Sequence, residues 1–227
     1  MSWYTQATGI EIPTRFGPLP GFALPADARL YRIYRHVDAD WSAAPEAHRK
    51  GRVDPPLPDS SSYGLLYLAD SLVTAGFEAR ILRPIKDADG LNDIEIEPEP
   101  LDPVTGRALK PPPMTAVHTT KQPIVFVDLE SPDIARAAGL GIGRPVPRID
   151  KWRKLTLWVH DQLIVPGDGN SILPLVGATY ISNVQDCDGR NFVVFEGRRD
   201  AHIHRGVPPE SQTPLDVPGL QALWENA

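Results

Sequence analysis

Two arginines, a tyrosine and a glutamate in the first third of the chain, Arg32, Arg52, Tyr67 and Glu78, are of types that can act together on one ligand. Guanidiniums offer paired N–H donors at fixed geometry, which suits a pyrophosphate. A phenol ring suits stacking on a flat heteroaromatic. A carboxylate at a helix edge accepts from a sugar hydroxyl or faces a developing positive charge. Taken singly, each has a plainer use: a strand-end arginine at the surface, a tyrosine in the core, a glutamate on a wet helix face. The chemistry therefore depends on which elements carry these side chains and whether they meet.

Arg32 lies in Leu30-Tyr31-Arg32-Ile33-Tyr34-Arg35, where bulky and basic side chains alternate as in a strand. Arg52 follows Gly51 and precedes Pro55 and Pro56, in a loop whose glycine lets the backbone turn. Tyr67 sits in the apolar run Gly64–Leu68, a buried strand. Asp70 or Ser71 then caps a helix whose apolar stripe is Leu72, Ala75, Gly76, Ala79 and Leu82. Glu78 falls just outside that stripe, at the rim of the buried face, from which a carboxylate reaches a neighbouring cleft.

Proline outlines the remaining organisation: 25 of 227 residues, about twice the usual share, in clusters that exclude regular helix and central strand. Residues 1–28 read as an irregular N-terminal arm. Residues 86–123 read as an inserted, hairpin-like excursion with too few large apolar residues for its own core, although Ile94–Glu97 alternates like a strand with one wet face. A helical turn is expected at 44–49 and a buried strand at Ile124–Leu129. Ser131 and Pro132 open a short helix that ends near Gly139. Lys151–Leu163 reads as a helix, with Trp152, Leu155, Val159 and Leu163 on one face. Two strands, Ala178–Ser182 and Asn191–Glu196, flank the turn-rich Asp186–Arg190. Residues 206–227 read as a tail with a short helix at 218–226. Strands and helices in this order give an α+β domain over 29–205 with mixed, mostly antiparallel sheets and flanking helices.

Composition removes several function classes. The net charge of −6 is the opposite of what a general nucleic-acid binder needs. No apolar run is long enough for a spanning helix, and the N-terminus has no charged start followed by an apolar stretch, so it does not read as a secretory signal. A single cysteine, Cys187, excludes an internal disulfide and a multi-cysteine zinc site, and the cytoplasm is the default compartment. His202 and His204 would place two imidazoles on one strand face, but no adjacent carboxylate or cysteine completes a metal site. Gly139, Gly141 and Gly143 do not form the dinucleotide fingerprint, and no nucleophile elbow occurs.

Leu30-Tyr31-Arg32, Gly51-Arg52-Val53-Asp54-Pro55-Pro56, Leu66-Tyr67-Leu68-Ala69-Asp70-Ser71 and Ala75-Gly76-Phe77-Glu78 occur in an order that resembles the RES-domain family. Val127–Leu129 with Arg136–Leu140 is similar to the family's next strand and helix. Ala178–Ser182 with Gly189–Phe195 is similar to its later hairpin, so the resemblance runs over roughly 30–200. Val53 stands where the family has an aromatic residue, Asp54 where it has Asn, and Ile181 where it often has Pro. The resemblance implies a fold related to ADP-ribosyltransferases and cleavage of the nicotinamide–ribose bond of NAD, with water or phosphate as acceptor. It implies catalytic roles for Arg52, Glu78 and Ser182, the Arg, Glu and Ser of the family name, and NAD-binding roles for Arg32 and Tyr67. NAD is then a substrate, and no prosthetic group or metal is expected. The family includes bacterial toxins paired with antitoxins, so a cognate antitoxin or immunity protein is an expected partner. Delivery into a target-cell cytoplasm and a homo-oligomer stay open. An ADP-ribosyltransferase acting on a macromolecule, or a silent binding module on the same fold, are the alternatives.

Overall fold

Successive side chains of a strand point to opposite faces, so the mainly apolar runs Leu65–Ala69, Ile124–Asp128, Leu175–Ile181 and Arg190–Phe195 can bury both faces of a sheet. The computed structural model describes residues 7–36, 39–56, 59–86, 92–97, 100–111, 113–140, 148–164, 173–182 and 189–206. The strands are β1 (Thr8–Thr14), β2 (Gly17–Leu24), β3 (Arg29–Tyr34), β4 (Leu65–Ala69), β5 (Leu82–Lys86), β6 (Asn92–Ile96), β7 (Met114–Thr120), β8 (Ile124–Asp128), β9 (Leu175–Ile181), β10 (Arg190–Phe195) and β11 (Ile203–His204). The helices are α1 (Leu72–Glu78), α2 (Pro132–Ala137), α3 (Arg148–Val159) and α4 (Glu196–His202), with a 3-10 turn at Glu46–His48 and a π turn, His160–Ile164, continuing α3. Nine strands form one sheet in the order β1-β2-β8-β9-β10-β4-β3-β7-β11, while β5 and β6 pair apart from it. Pairing in the large sheet is antiparallel except for the parallel neighbours β8 and β9. The fold is α+β with a mostly antiparallel sheet, and among the described residues no helix is long and apolar enough to cross a membrane.

Both faces of the sheet are buried. On one, Leu65, Val125, Val127, Ala178, Tyr180, Val193 and Phe195 pack with Ile134 of α2 and Trp152, Leu155 and Val159 of α3. On the other, the alternate residues Leu66, Leu68, Ile124, Phe126, Val176, Phe192 and Val194 pack together with Leu24, Leu30 and Ile203. The second face closes on itself because the sheet curls. Thr120 of β7, near one end of the strand order, donates from Oγ1 to Pro25 O (2.6 Å), just past β2 near the other end. The same oxygen accepts from Ala28 N at 2.9 Å, and Asp27 N donates to Thr120 O at 2.9 Å.

Four expectations are corrected here. The expected arm, residues 1–28, contains the β1–β2 hairpin over 8–24, an integral part of the sheet. Its prolines are tolerated because β1 is an edge strand, and Pro18 and Pro20 lie where β2 borders β1 alone; pairing with β8 begins at Gly21. The excursion 86–123 is shorter than expected, since β7 pairs along its length with β3, from Arg29 opposite Thr119 to Tyr34 opposite Met114. The helix expected to reach Leu82 ends at Glu78: Ile81 N donates to Gly76 O and Arg80 N to Phe77 O, a Schellman closure with Arg80 at φ 55°, and Leu82 opens β5. α2 ends with the same closure, but there Gly139 occupies the left-handed position at φ 67°. His202 ends α4 and so does not share a strand face with His204. The tail 207–227, Cys187 and the turn residues Asp186 and Asp188 lie outside the described residues.

A buried polar cluster ties β7 to the loop after β3 and to the segment after β11. His118, fully buried, donates from Nε2 to Asp40 O (3.0 Å) and accepts at Nδ1 from Gly206 N (3.1 Å), and its ring lies against Trp41. Arg205 makes a two-pronged contact with the Asp40 carboxylate, at 2.8 and 2.9 Å. Burial holds the imidazole down at about 4, an effect partly opposed by its bond to Asp40 O. An unfolded imidazole binds its proton below about pH 6.5. Between these values the unfolded state holds the additional proton, so stability is lost as pH falls through that window. Urea unfolding between pH 4.5 and 7.5 should show stability rising with pH by up to about 1.4 kcal/mol per unit from this group. His118→Gln should flatten that slope. At the end of α1, Arg80→Gly should raise stability by about 0.5–1 kcal/mol by removing the left-handed penalty, read as a higher Tm.

Candidate active site

β3 and β4 touch through a single residue pair, Tyr31 opposite Ala69, whereas β4 pairs with β10 at every residue of its length. Where β3 and β4 part, a pocket of about 280 Å³ opens. Its base is one cross-strand row: Tyr180 faces Asn191, Asn191 faces Ala69, and Ala69 faces Tyr31, and all four line the pocket. Arg32, Tyr67 and Gly51 also line it, as do Ala75 and Glu78 of α1 and Ala79 just past its end.

Glu78 is placed by a latch at the opposite end of its helix. Ser71 caps α1 by accepting from Thr74 N at 3.0 Å. Asp70 accepts from Thr74 Oγ1 (2.7 Å) and from Arg190 N (2.7 Å), fastening the β4–α1 turn to the start of β10. Burial raises the Asp70 carboxyl above the usual carboxylate range, an effect partly opposed by these donors. Gly189 must be glycine, because a Cβ there would lie 1.8 Å from Thr74 Oγ1.

With the helix fixed, the Glu78 carboxylate points at β9 and β10. Its Oε1 accepts from Asn191 Nδ2 at 2.9 Å and from Ser182 Oγ at 3.1 Å, and Arg52 Nη2 approaches to 3.6 Å. Among the described residues, none of these donors reaches Oε2. One oxygen is thus held by the protein, in a side chain that stays about one-third exposed.

Arg52 is built into the wall beside Glu78. Its guanidinium carbon stands 4.1 Å from the ring centre of Tyr180 and 5.5 Å from that of Trp152, and Nη2 donates to Ile181 O (3.2 Å). Nη1 is enclosed without a hydrogen-bond partner among the described residues. The loop carrying it is braced by Arg153 Nε on Gly51 O (3.1 Å). Asp54, 5 % exposed, accepts from Gly51 N (2.6 Å) and from Tyr67 Oη (2.6 Å). Burial and the Asp54 carboxylate push the Tyr67 phenol well above its ordinary range, so it stays a donor. Burial, and then the charge of Glu78, raise Tyr180 likewise. Val53 is fully buried in the core with α2 and α3, a use that needs no aromatic ring.

Arg32 reaches the pocket differently from the expectation. Nε donates to Ala39 O at 2.7 Å, Nη1 to Tyr67 O at 3.0 Å and Nη2 to Ser42 O at 3.2 Å. Three of its N–H groups therefore bind main chain, two in the loop after β3 and one across the gap to β4. Burial lowers it to about 10, which leaves it charged at neutral pH. A diphosphate clamp from Arg32 and Arg52 accordingly meets two guanidiniums already engaged within the fold.

Of the five site residues named from sequence, Arg52, Glu78 and Ser182 come into contact, and Tyr67 and Arg32 line the adjoining pocket. Tyr180 and Asn191 were missed. Asn191 had a signal, a polar side chain opening the apolar run Phe192–Phe195. Tyr180 had one too, two residues before Ser182 and so on the same strand face. The chain matches no family model, no curated protein and no solved structure.

The Asp54–Tyr67 bond is testable without any ligand. Asp54→Ala leaves the Tyr67 hydroxyl unpaired in a half-buried wall and should cost about 1–3 kcal/mol. Tyr67→Phe combined with Asp54→Ala should recover part of that loss, giving a coupling of about 0.5–3 kcal/mol in a double-mutant denaturation cycle. Strict additivity would remove the bond from the account of the wall.

Proposed function

We propose that the protein cleaves the nicotinamide–ribose bond of NAD, with water or phosphate as acceptor, on a fold related to the ADP-ribosyltransferases. The observation that carries this reading is the meeting of Arg52, Glu78 and Ser182 beside a tyrosine-lined pocket, although Glu78 and Ser182 are 104 residues apart in sequence. The resemblance to the RES-domain family assigns those same three residues, without reference to their positions in space.

In this reading Tyr67 packs on the pyridinium ring. The open Oε2 of Glu78 accepts from a ribose hydroxyl. As the C1′–N1 bond breaks, its electron pair goes to the ring nitrogen, and positive charge develops on the ribose. The Glu78 carboxylate, already oriented by Asn191 and Ser182, stabilises that charge with no reorganisation. Arg52, 3.6 Å away, keeps the carboxylate aimed. The acceptor oxygen then bonds to C1′, and its proton is released. Consumption of NAD harms the cell that makes such an enzyme, so an antitoxin covering the pocket is the partner this reading calls for, in a cytoplasm that supplies NAD.

The experiment is incubation of the purified protein with NAD, with and without phosphate, followed by mass analysis of products. Free nicotinamide with ADP-ribose, or with its phosphorylated form, is expected. Glu78→Gln should lower nicotinamide release by about 10²–10³-fold with an unchanged circular dichroism spectrum. Unchanged turnover in folded Glu78→Gln would remove this carboxylate from the reaction, and transfer of label to a macromolecule would redirect the reading to a transferase.

A further inference from the structure

We infer that the pocket recognises the ribosyl-pyridinium half of NAD and not the dinucleotide, so that nicotinamide mononucleotide and nicotinamide riboside are substrates of the same site. The inference rests on the NAD-cleaving reading and narrows it. Three observations on the described residues carry it.

The first is size. At about 280 Å³ among the described residues, the pocket stands at the small end of the roughly 300–1,000 Å³ range of sites that enclose a drug-sized ligand. It suits one ring and one sugar, and the rest of a dinucleotide would lie outside.

The second is the state of the cations. A diphosphate is held by forked N–H groups that point into the site. Arg32, the guanidinium that lines this pocket, donates instead to Ala39 O, Tyr67 O and Ser42 O. Arg52 is stacked on Tyr180 and turned toward Glu78 and Ile181 O. Recruiting Arg32 to a diphosphate would break contacts that hold the wall, while Arg52 does not line the pocket and its unpartnered Nη1 is enclosed.

The third is the charge presented to a ligand. The ionised side chain at the reacting end is the Glu78 carboxylate, one-third exposed and with Oε2 open. Tyr31 and Tyr67 line the pocket with it, and an aromatic ring carries a negative quadrupole. Carboxylate and ring faces together attract an N-ribosyl pyridinium cation and give nothing to a phosphate. Cleavage removes that cation: the C1′–N1 electron pair neutralises the ring, nicotinamide leaves, water oxygen bonds to C1′ and one proton is released.

The test compares initial rates of nicotinamide release by the full chain from NAD, nicotinamide mononucleotide and nicotinamide riboside, with AMP as a probe of the other half of the dinucleotide. The kcat/KM values for the two shorter compounds should lie within about tenfold of that for NAD, and AMP should not inhibit at concentrations well above the KM for NAD. Cleavage of NAD with a loss of more than about 100-fold on both shorter compounds would overturn the inference while leaving NAD cleavage standing. Competitive inhibition by AMP near the KM for NAD would do the same. Failure to release nicotinamide from any of the three would overturn the NAD-cleaving reading and this inference with it.

Discussion

The Asp70 carboxylate, 7 % exposed, receives Thr74 Oγ1 on one oxygen and the backbone N–H of Arg190 on the other. The rest of the site depends on this junction. It joins the turn that begins α1 to the first residue of β10, two pieces of chain 120 residues apart. A carboxylate taken this far out of water is tolerable only when its oxygens are satisfied. The latch therefore acts in one geometry or not at all. Given that geometry, the short helix ends where Glu78 meets Asn191 and Ser182. Gly189 makes the fit possible, because Thr74 occupies the space that any side chain there would need.

A second constraint is the division of labour between the two faces of the sheet. The face with α2 and α3 is covered by helices and contributes the ring of Trp152, against which Arg52 rests. The other face is covered by strands brought round by the curl. Tyr180 belongs to the helix-covered core and also to the floor of the pocket, so core packing and the site share a side chain. The loop Gly51–Asp54 does similar double duty: Val53 is buried in that core, Asp54 fixes Tyr67, and Arg52 reaches Glu78.

Much of the architecture was legible in the sequence where local signals agree with tertiary context. Ser71 before an apolar stripe, and Ser131 followed by Pro132, mark helix starts that occur as read. The end of α1 was hidden because its left-handed closing residue is Arg80 rather than glycine, while Gly139 announces the same closure at α2. The β1–β2 hairpin was hidden because its prolines resemble a loop, and only the register with β8 shows that they avoid the doubly paired part of the strand. β7 was hidden by the prolines before it and by its plain Thr, Ala, Val and His content. The meeting of Arg52, Glu78 and Ser182 follows from no local spacing. It entered through resemblance alone, whereas the commitment of Arg32 to main-chain carbonyls is visible only in three dimensions.

The parting of β3 from β4 has a consequence for how the cleft can change. Neighbouring strands in a hydrogen-bonded ladder are held about 4.8 Å apart whatever their side chains. Past the Tyr31–Ala69 contact that rule lapses, and the span is bridged by the guanidinium of Arg32. The aperture is therefore spanned by side chains rather than by backbone pairing: Arg32 reaches the Tyr67 carbonyl, and Ile33 of β3 packs against the cluster of Phe77, Ile81 and Leu82. The calipers of the cavity are thus side chains, which can be altered without touching a ladder of the sheet.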